Sequence, residues 1–473
     1  MKRSRIQARL AVMVTLAFAI SSCSLVPEYF RPAAPVPEIY PGQPANEAAP
    51  GQPGKETISE APALTWQNYF PDADLQKLIQ IGLEHNRDLK TAVLRMDEAK
   101  ATYGVQKADR LPTIQGNLGY DRSRTVFSSS QAFEAELFRA GVGITDYEID
   151  IFGRVKNLSQ AALEQYLAVA ENRQAIQATL ITEITTQYVN FLTIHSQLKL
   201  AQQTLDDRKQ TLQRTQRRFD AGVDQILDVK AAQIQVEQVQ AQYAQWQRQL
   251  ETTKNALYLL LGEPSQRTAL TVKPLRDLKL GTTPAGLPST LLTRRADIRA
   301  AEHQLKAANA NIGAARAAFY PRLQLTTNAG LVNSEFSKLF TQTGSNYWAF
   351  SPQLVIPIFN YGRNKANLSL AEARQHIEVA NYEKIVQTAF KEVMDVLSTR
   401  NAIAEESAAR TRLSDLESSR LQLVKRKLDQ GLVTYLELLD AQRSFLDAQA
   451  QALQIQQFEL QNQVSLYKAL GGS

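Results

Sequence analysis

Residues 153–222 read GRVKNLSQAALEQYLAVAENRQAIQATLITEITTQYVNFLTIHSQLKLAQQTLDDRKQTLQRTQRRFDAG, two glycines enclosing 68 residues that include neither Gly nor Pro. Nothing inside that interval removes a backbone donor or favours departure from helical dihedrals. At about 1.5 Å per residue it predicts one helix on the order of 100 Å long, far beyond the usual length in globular proteins. Ile181, Ile184, Tyr188, Phe191 and Leu198 recur along it at heptad-like spacing, the seam of a coiled coil. The other faces are rich in Gln, Ala, Glu, Lys and Arg, too polar for lipid, so the helix is expected in water with one side packed.

The interval occurs twice. Gly153-Arg154 and Lys156 map onto Gly362-Arg363 and Lys365 at a shift of 209 residues, and the same shift relates Asp88 to Asp297, Pro112 to Pro321, Gly222 to Gly431 and Gly262 to Gly471. A constant shift over most of the chain implies one structural unit used twice. The second long interval has its own seam in Val379, Tyr382, Val386, Ala389, Val393 and Val396, and shorter Gly- and Pro-free stretches follow at 223–261 and 432–470. Ahead of each long interval lies a helical stretch, 87–110 or 295–319, ended by Leu111-Pro112 or Tyr320-Pro321, since proline disfavours helix in the residue before it.

Between these helices sit four segments of period-two alternation, expected as strands at about 112–124, 137–150, 321–333 and 346–358. In the first, Ile114, Gly116, Leu118 and Tyr120 alternate with Thr113, Gln115, Asn117 and Gly119; in the last, Trp348, Phe350, Pro352, Leu354, Ile356 and Ile358 share one face. Alternation over about ten residues is the mark of a transmembrane β-barrel, or of a soluble sheet with one dry face. Four strands are too few to close a barrel, and lipid does not tolerate an open sheet edge, so a membrane sheet must be completed by other copies of the chain.

The N-terminus favours the membrane reading. Lys2, Arg3, Arg5 and Arg9 precede an apolar run, Leu10 to Ile20, too short to span a bilayer, and the run ends in Ile20-Ser21-Ser22-Cys23. This pattern reads as a lipoprotein signal peptide over 1–22 with Cys23 as the acylated first residue. Ser24, in place of an Asp, favours sorting to the outer membrane. Cys23 is the one cysteine in 473 residues, so no disulfide framework is expected. Without the four signal cations the chain has 49 basic against 47 acidic residues, no footprint for nucleic acid. Residues 23–65, rich in proline, are expected as an extended lipid-anchored segment, followed by a first repeat at 66–262, a linker at 263–286 and a second repeat at 287–471. The fold class is therefore an α+β membrane protein: a shared transmembrane β-barrel, four strands per chain, continuous with a long periplasmic α-helical barrel.

Gly222 and Gly431 are expected to turn the two helical hairpins at the periplasmic tip, with Thr434-Tyr435-Leu436-Glu437 as a capping box after the second. Leu436 and Asp440, four apart, share a helix face. If that face looks down the tube, they form an apolar and an anionic ring that can gate it; otherwise Asp440 lies on a solvated face and Leu436 packs in a seam. No enzymatic site is expected: His85, His195, His303 and His376 are scattered without ligand spacing, and neither a phosphate-cradling loop nor a Gly-x-Ser-x-Gly elbow is present. No cofactor or metal is called for. A structural coiled-coil envelope lipoprotein would account for the helices and Cys23, but not for the alternating segments or the duplication.

Several motifs together resemble the TolC/OprM class of outer-membrane efflux proteins, most closely the OprM-like lipoproteins that serve RND-type pumps. They are Cys23-Ser24-Leu25-Val26-Pro27-Glu28-Tyr29, Glu148-Ile149-Asp150-Ile151-Phe152-Gly153-Arg154, Leu287-Pro288 with Arg294-Arg295-Ala296-Asp297-Ile298, Asn311-Ile312-Gly313-Ala314-Ala315, Phe319-Tyr320-Pro321-Arg322-Leu323, Ile356-Pro357-Ile358-Phe359, and Leu438-Leu439-Asp440-Ala441-Gln442-Arg443-Ser444. The resemblance implies a homotrimer in the outer membrane, a passive duct for drugs or other small toxic compounds. It also implies a periplasmic adaptor and a proton-driven inner-membrane RND-type pump docked below, and Leu436 and Asp440 ringing the closed aperture. Related proteins often carry an aromatic residue and an Arg just before the turn glycine; here Leu428 and Asp429 stand there, so a latch of that kind would need other groups, such as Arg426 or Lys427.

Overall fold

The computed structural model describes residues 25–37, 65–128, 131–264, 268–281, 294–341 and 345–472. Cys23 lies outside them. Residues 25–37 carry no helix or strand. The elements are α1 (Trp66–Tyr69), α2 (Ala73–His85), α3 (Arg87–Ala108), β1 (Ile114–Ser128), β2 (Gln131–Ile149), α4 (Arg154–Asp220), α5 (Ile226–Leu261), α6 (Ala296–Ala317), β3 (Arg322–Asn333), β4 (Ser345–Val355), α7 (Arg363–Asp429) and α8 (Tyr435–Ala469). No helix among the described residues is long and apolar enough to cross a membrane.

Both long helices run 67 residues without a break. The chain forms two compact units, one of Met1–Ala33, Arg95–Ala170 and Ala300–Lys384, the other of Ala34–Leu94, Glu171–Arg299 and Ile385–Ser473. Each unit takes chain from both repeats. The repeats are thus not two successive bodies, because α4 and α7 carry both halves of the sequence through both units.

The first unit holds a four-stranded antiparallel sheet in the order β1-β2-β3-β4. The β1–β2 hairpin reaches further than the apolar alternation suggests. Its tip is laddered by charge instead: Arg122 meets Glu136 at 3.2 Å and Arg139 meets Asp121 at 3.1 Å, and such cross-strand pairs extend a ladder without an apolar signal. β4 stops at Val355, short of the expected 358. It is an edge strand, and among the described residues no strand pairs with its outer side. β2 carries a bulge between Ile144 and Tyr147, where Asp146 adopts φ 53°. β4 has no counterpart of that extra residue.

The second unit is built on the expected seams. Ile181, Ile184, Tyr188 and Phe191 are buried, as are Val386, Ala389 and Val393, while Tyr382, also buried, belongs to the first unit. α1 and α2, which the alternation and repeat did not reveal, pack on the first seam. Tyr69, Phe70 and Tyr467 form an aromatic cluster with centroids 5.0–5.2 Å apart, and Tyr69 donates to Gln463 O at 2.7 Å. Asp72 caps α2 by accepting from Leu75 N at 3.1 Å, and Lys273 closes onto Asp72 and Asp74.

Candidate functional site

Two regions carry the features of a conduit. The first is the sheet. Leu118, Tyr120, Val142, Trp348, Phe350 and Leu354 all stand exposed on one face, and contiguous exposed apolar residues of this kind mark a surface that meets a partner or lipid. Tyr120 and Phe138 meet at a tilt across the β1–β2 pair with centroids 4.8 Å apart, and Phe138 meets Phe336 edge-on at 5.6 Å. Backbone groups of β1 and β4 face outward on the two free edges.

The second region is the pair of helix turns. Gly222 and Gly431 have φ of 74° and 72°, the left-handed conformation that ends a helix and that side chains disfavour. The chain hydrogen-bonds back across each in the same way: Val223 N donates to Arg218 O at 2.9 Å and Leu432 N to Lys427 O at 3.0 Å. Thr434 accepts from Glu437 N at 3.3 Å, capping α8. The first hairpin has a capping box of its own, Gln225 with Asp228, that the sequence reading passed over because Gln is an unusual capping residue.

Leu436 and Asp440 stand on the open side of α8: Leu436 is 74% exposed and the Asp440 side chain 62% exposed. The seam belongs instead to Leu438 and Ala441, which pack with Leu421. Within one chain, Leu436 is thus not part of that seam. Asp440 is not alone. Arg420 of α7 donates to it at 2.7 Å, and this contact holds the guanidinium pKa above its ordinary value. Arg420 was missed in the sequence, though a hairpin turning at Gly431 brings a residue eleven before the turn opposite one nine after it.

A second set of polar contacts joins α7 and α8 to α4. Lys425 donates to Asp207 at 3.0 Å, and buried Arg208 donates to Gln442. They flank a pocket of about 400 Å³ that also takes in Thr204, Leu421 and Phe445. His195 lies against Phe191 at 6.3 Å. Burial, and then Lys199 and Lys254, lower its pKa and favour the neutral ring. Among the described residues no His, Cys, Asp and Glu side chains gather as they would around a metal ion.

The model of the family described as outer membrane efflux protein matches residues 78–263 and again 287–472, two spans set apart by the same 209 residues as the repeat. The chain is 40% identical over 457 residues to the solvent efflux pump outer membrane protein SrpC of Pseudomonas putida, covering 96% of each. It is 38% identical to the outer membrane protein OprJ of Pseudomonas aeruginosa, over 97% of this chain and 94% of that one. Its fold matches the open state of the MtrE outer membrane channel of Neisseria gonorrhoeae with a TM-score of 0.83 at 36% identity, covering 95% of this chain and 98% of that one. With both halves matched and such relatives aligned along nearly its whole length, the chain belongs to the outer membrane efflux protein family and is an outer-membrane channel component of an efflux system.

Proposed function

We propose that this chain is the passive exit duct of a tripartite efflux system, working as a homotrimer that is anchored by an acylated Cys23 and gated at the hairpin tips. In this reading the signal peptide is 1–22, and 23–65, 66–262 and 287–471 are the tether and the two repeats. Three four-stranded sheets close one barrel through the outer membrane. The helices continue it into the periplasm, where the Gly222 and Gly431 turns meet a periplasmic adaptor and an inner-membrane RND-type pump. Leu436 and Asp440 ring the aperture. The observation that carries the reading is the sheet itself: an exposed apolar face with two free edges, joined directly to polar helices of 67 residues. A sheet cannot rest in lipid with its edges unpaired.

The cargo class is drugs, organic solvents or other small toxic compounds, with selection left to the pump. Deleting the gene should sensitise cells to such compounds, and the purified protein should migrate as a heat-sensitive oligomer and conduct ions in planar bilayers. A protein that stays monomeric and conducts nothing would sink the duct reading. Cys23→Ala should abolish incorporation of labelled fatty acid; labelling that persists would refute the anchor.

A further inference from the structure

The second unit holds a pocket whose lining sets it apart from the packed seams around it. α4, α5 and α8 enclose a space of about 650 Å³, within the roughly 300–1,000 Å³ of small-molecule sites. Gln197, at one end of it, stands roughly 40 Å of helix away from the turn at Gly222. Among the described residues that line the pocket, eight are Gln or Asn, three are Thr and none is charged. Trp246 of α5 is the one aromatic side chain in that lining, half-buried and packed against the apolar core of the unit.

The floor of the pocket is fixed and its rim is open. Asn190 accepts from Gln457 at 2.7 Å and from Gln461 at 2.8 Å, and donates to Gln187 at 3.2 Å. Gln197 is buried and donates to Ala450 O at 3.4 Å. These bonds tie α4 to α8 and hold the inner amides in place. Gln242, Gln249 and Gln454 stand exposed at the rim, and no described residue bonds to their side chains. Arg410, outside the lining, donates to Gln451. The second repeat fills the same positions differently. At the 209-residue shift Gln187 and Trp246 correspond to Val396 and Ile455, both buried, and Gln249 corresponds to Phe458. A hairpin of this kind thus packs with apolar side chains at these places, so the fold alone does not demand the amides and the indole.

We propose that this pocket binds a neutral saccharide, with one sugar ring laid on Trp246 and its polar groups bonded by the surrounding amides. An ion would give up its water there without meeting an opposite charge. A purely apolar solute would strip water from the inner amides and return no hydrogen bond. A saccharide meets both demands. Each hydroxyl donates and accepts, and each carboxamide does so through separate atoms, so two neighbouring hydroxyls can bridge the two ends of one Gln. The C–H face of a pyranose ring is apolar and lies flat on an indole, which buries a large area at little cost in freedom. Two sources carry this chemistry in the space that periplasmic helices cross: the N-acetylated glycan of the cell wall and free neutral oligosaccharides. Bound to the wall, the site would hold the helices sideways, independently of the sheet.

Calorimetric titration of the intact protein tests the site, in a detergent without a sugar headgroup, since a glycoside detergent would compete for it. The probes are a tetramer of N-acetylglucosamine and maltotetraose. At least one should bind saturably. Trp246→Ala should weaken that binding at least about tenfold, and Trp246→Phe, which keeps a flat ring, should recover part of it. Gln249→Leu, at an exposed position, should weaken it by about threefold or more. A circular-dichroism melt matching that of the unsubstituted protein shows each variant to be folded, and Gln249→Leu carries the test if Trp246→Ala is not. Preference for the N-acetylated tetramer, together with cosedimentation on purified cell-wall sacculi that the weakened variants lose, supports the site and assigns it to the wall. Binding of maltotetraose alone supports the site and assigns it to free oligosaccharide. Failure of the folded protein to bind either tetramer overturns the proposal, and so does binding that the folded variants leave unaltered.

Discussion

The two hairpin tips share a fold and differ in where they place charge. Each turns on a left-handed glycine, and each packs a small apolar seam just above it, Val229 and Ala232 in one, Leu438 and Ala441 in the other. Above Gly222, Arg218 reaches across the turn to Asp224 at 2.9 Å. The corresponding positions around Gly431 hold Lys427 and Val433, and valine offers no carboxylate. Instead, the second hairpin is tied higher up by Arg420 and Asp440, where the first holds Thr211 and Ala231. Duplication kept the apolar parts, which any such hairpin needs, and moved the charges. A clamp at the turn fixes the turn alone. A clamp on the shaft, beside an exposed Leu436, sets the spacing of the two helices at the proposed aperture.

The severest way to break this comparison is to put a carboxylate in each seam. Ala441→Asp and Ala232→Asp should each cost at least about 2 kcal/mol, since each puts a carboxylate at a buried site. Hydrogen exchange should rise in the affected hairpin only, and conductance should rise for Ala441→Asp but not for Ala232→Asp. Equal gains in conductance would show the two tips to be functionally alike. Next come the turns: Gly222→Val and Gly431→Val place a β-branched residue at positive φ and should each lose about 1–2 kcal/mol. Similar drops in melting temperature are expected, and a clear inequality would mean that one turn can be rebuilt. The smallest energies belong to the clamps. Arg218→Ala should change stability by under about 1 kcal/mol, an effect erased in high salt, with conductance unaltered. Asp440→Ala should leave stability nearly alone and raise single-channel conductance. Unchanged conductance would remove Asp440 from the aperture.

These differences also mark what a sequence can carry. The 67-residue helices were legible because nothing between the glycines can stop a helix, and their seams because heptad spacing survives in the order of residues. The exposed placement of Leu436 was not decided by spacing, since a seam and a wet face share the same four-residue period; Leu438 and Ala441 took the seam. α1 and α2 were hidden because they are short and follow directly on a proline-rich stretch. The bulge at Asp146 did leave a trace: Phe138 and Trp348 are 210 apart while Gly153 and Gly362 are 209 apart, one residue too many between the first pair of landmarks. The alternation ran on to 358, but β4 ends at Val355, which pairs with Arg322, the first residue of β3 after Pro321; alternation marks a face and does not say where the partner strand begins.

The bulge has a geometric consequence. A bulge bends its strand and sharpens the local twist, and here only one of the two repeats has it. A wall closed from such chains cannot curve evenly around its circumference. In the barrel proposed above, the bend would fall at the β2–β3 pair, once in each chain. Gly141 and Gly143 on β2 and Gly330 on β3 lie a few residues from the bulge, and there the two strands approach so closely that a Cβ on any of the three would lie within 2.6 Å of the neighbouring strand.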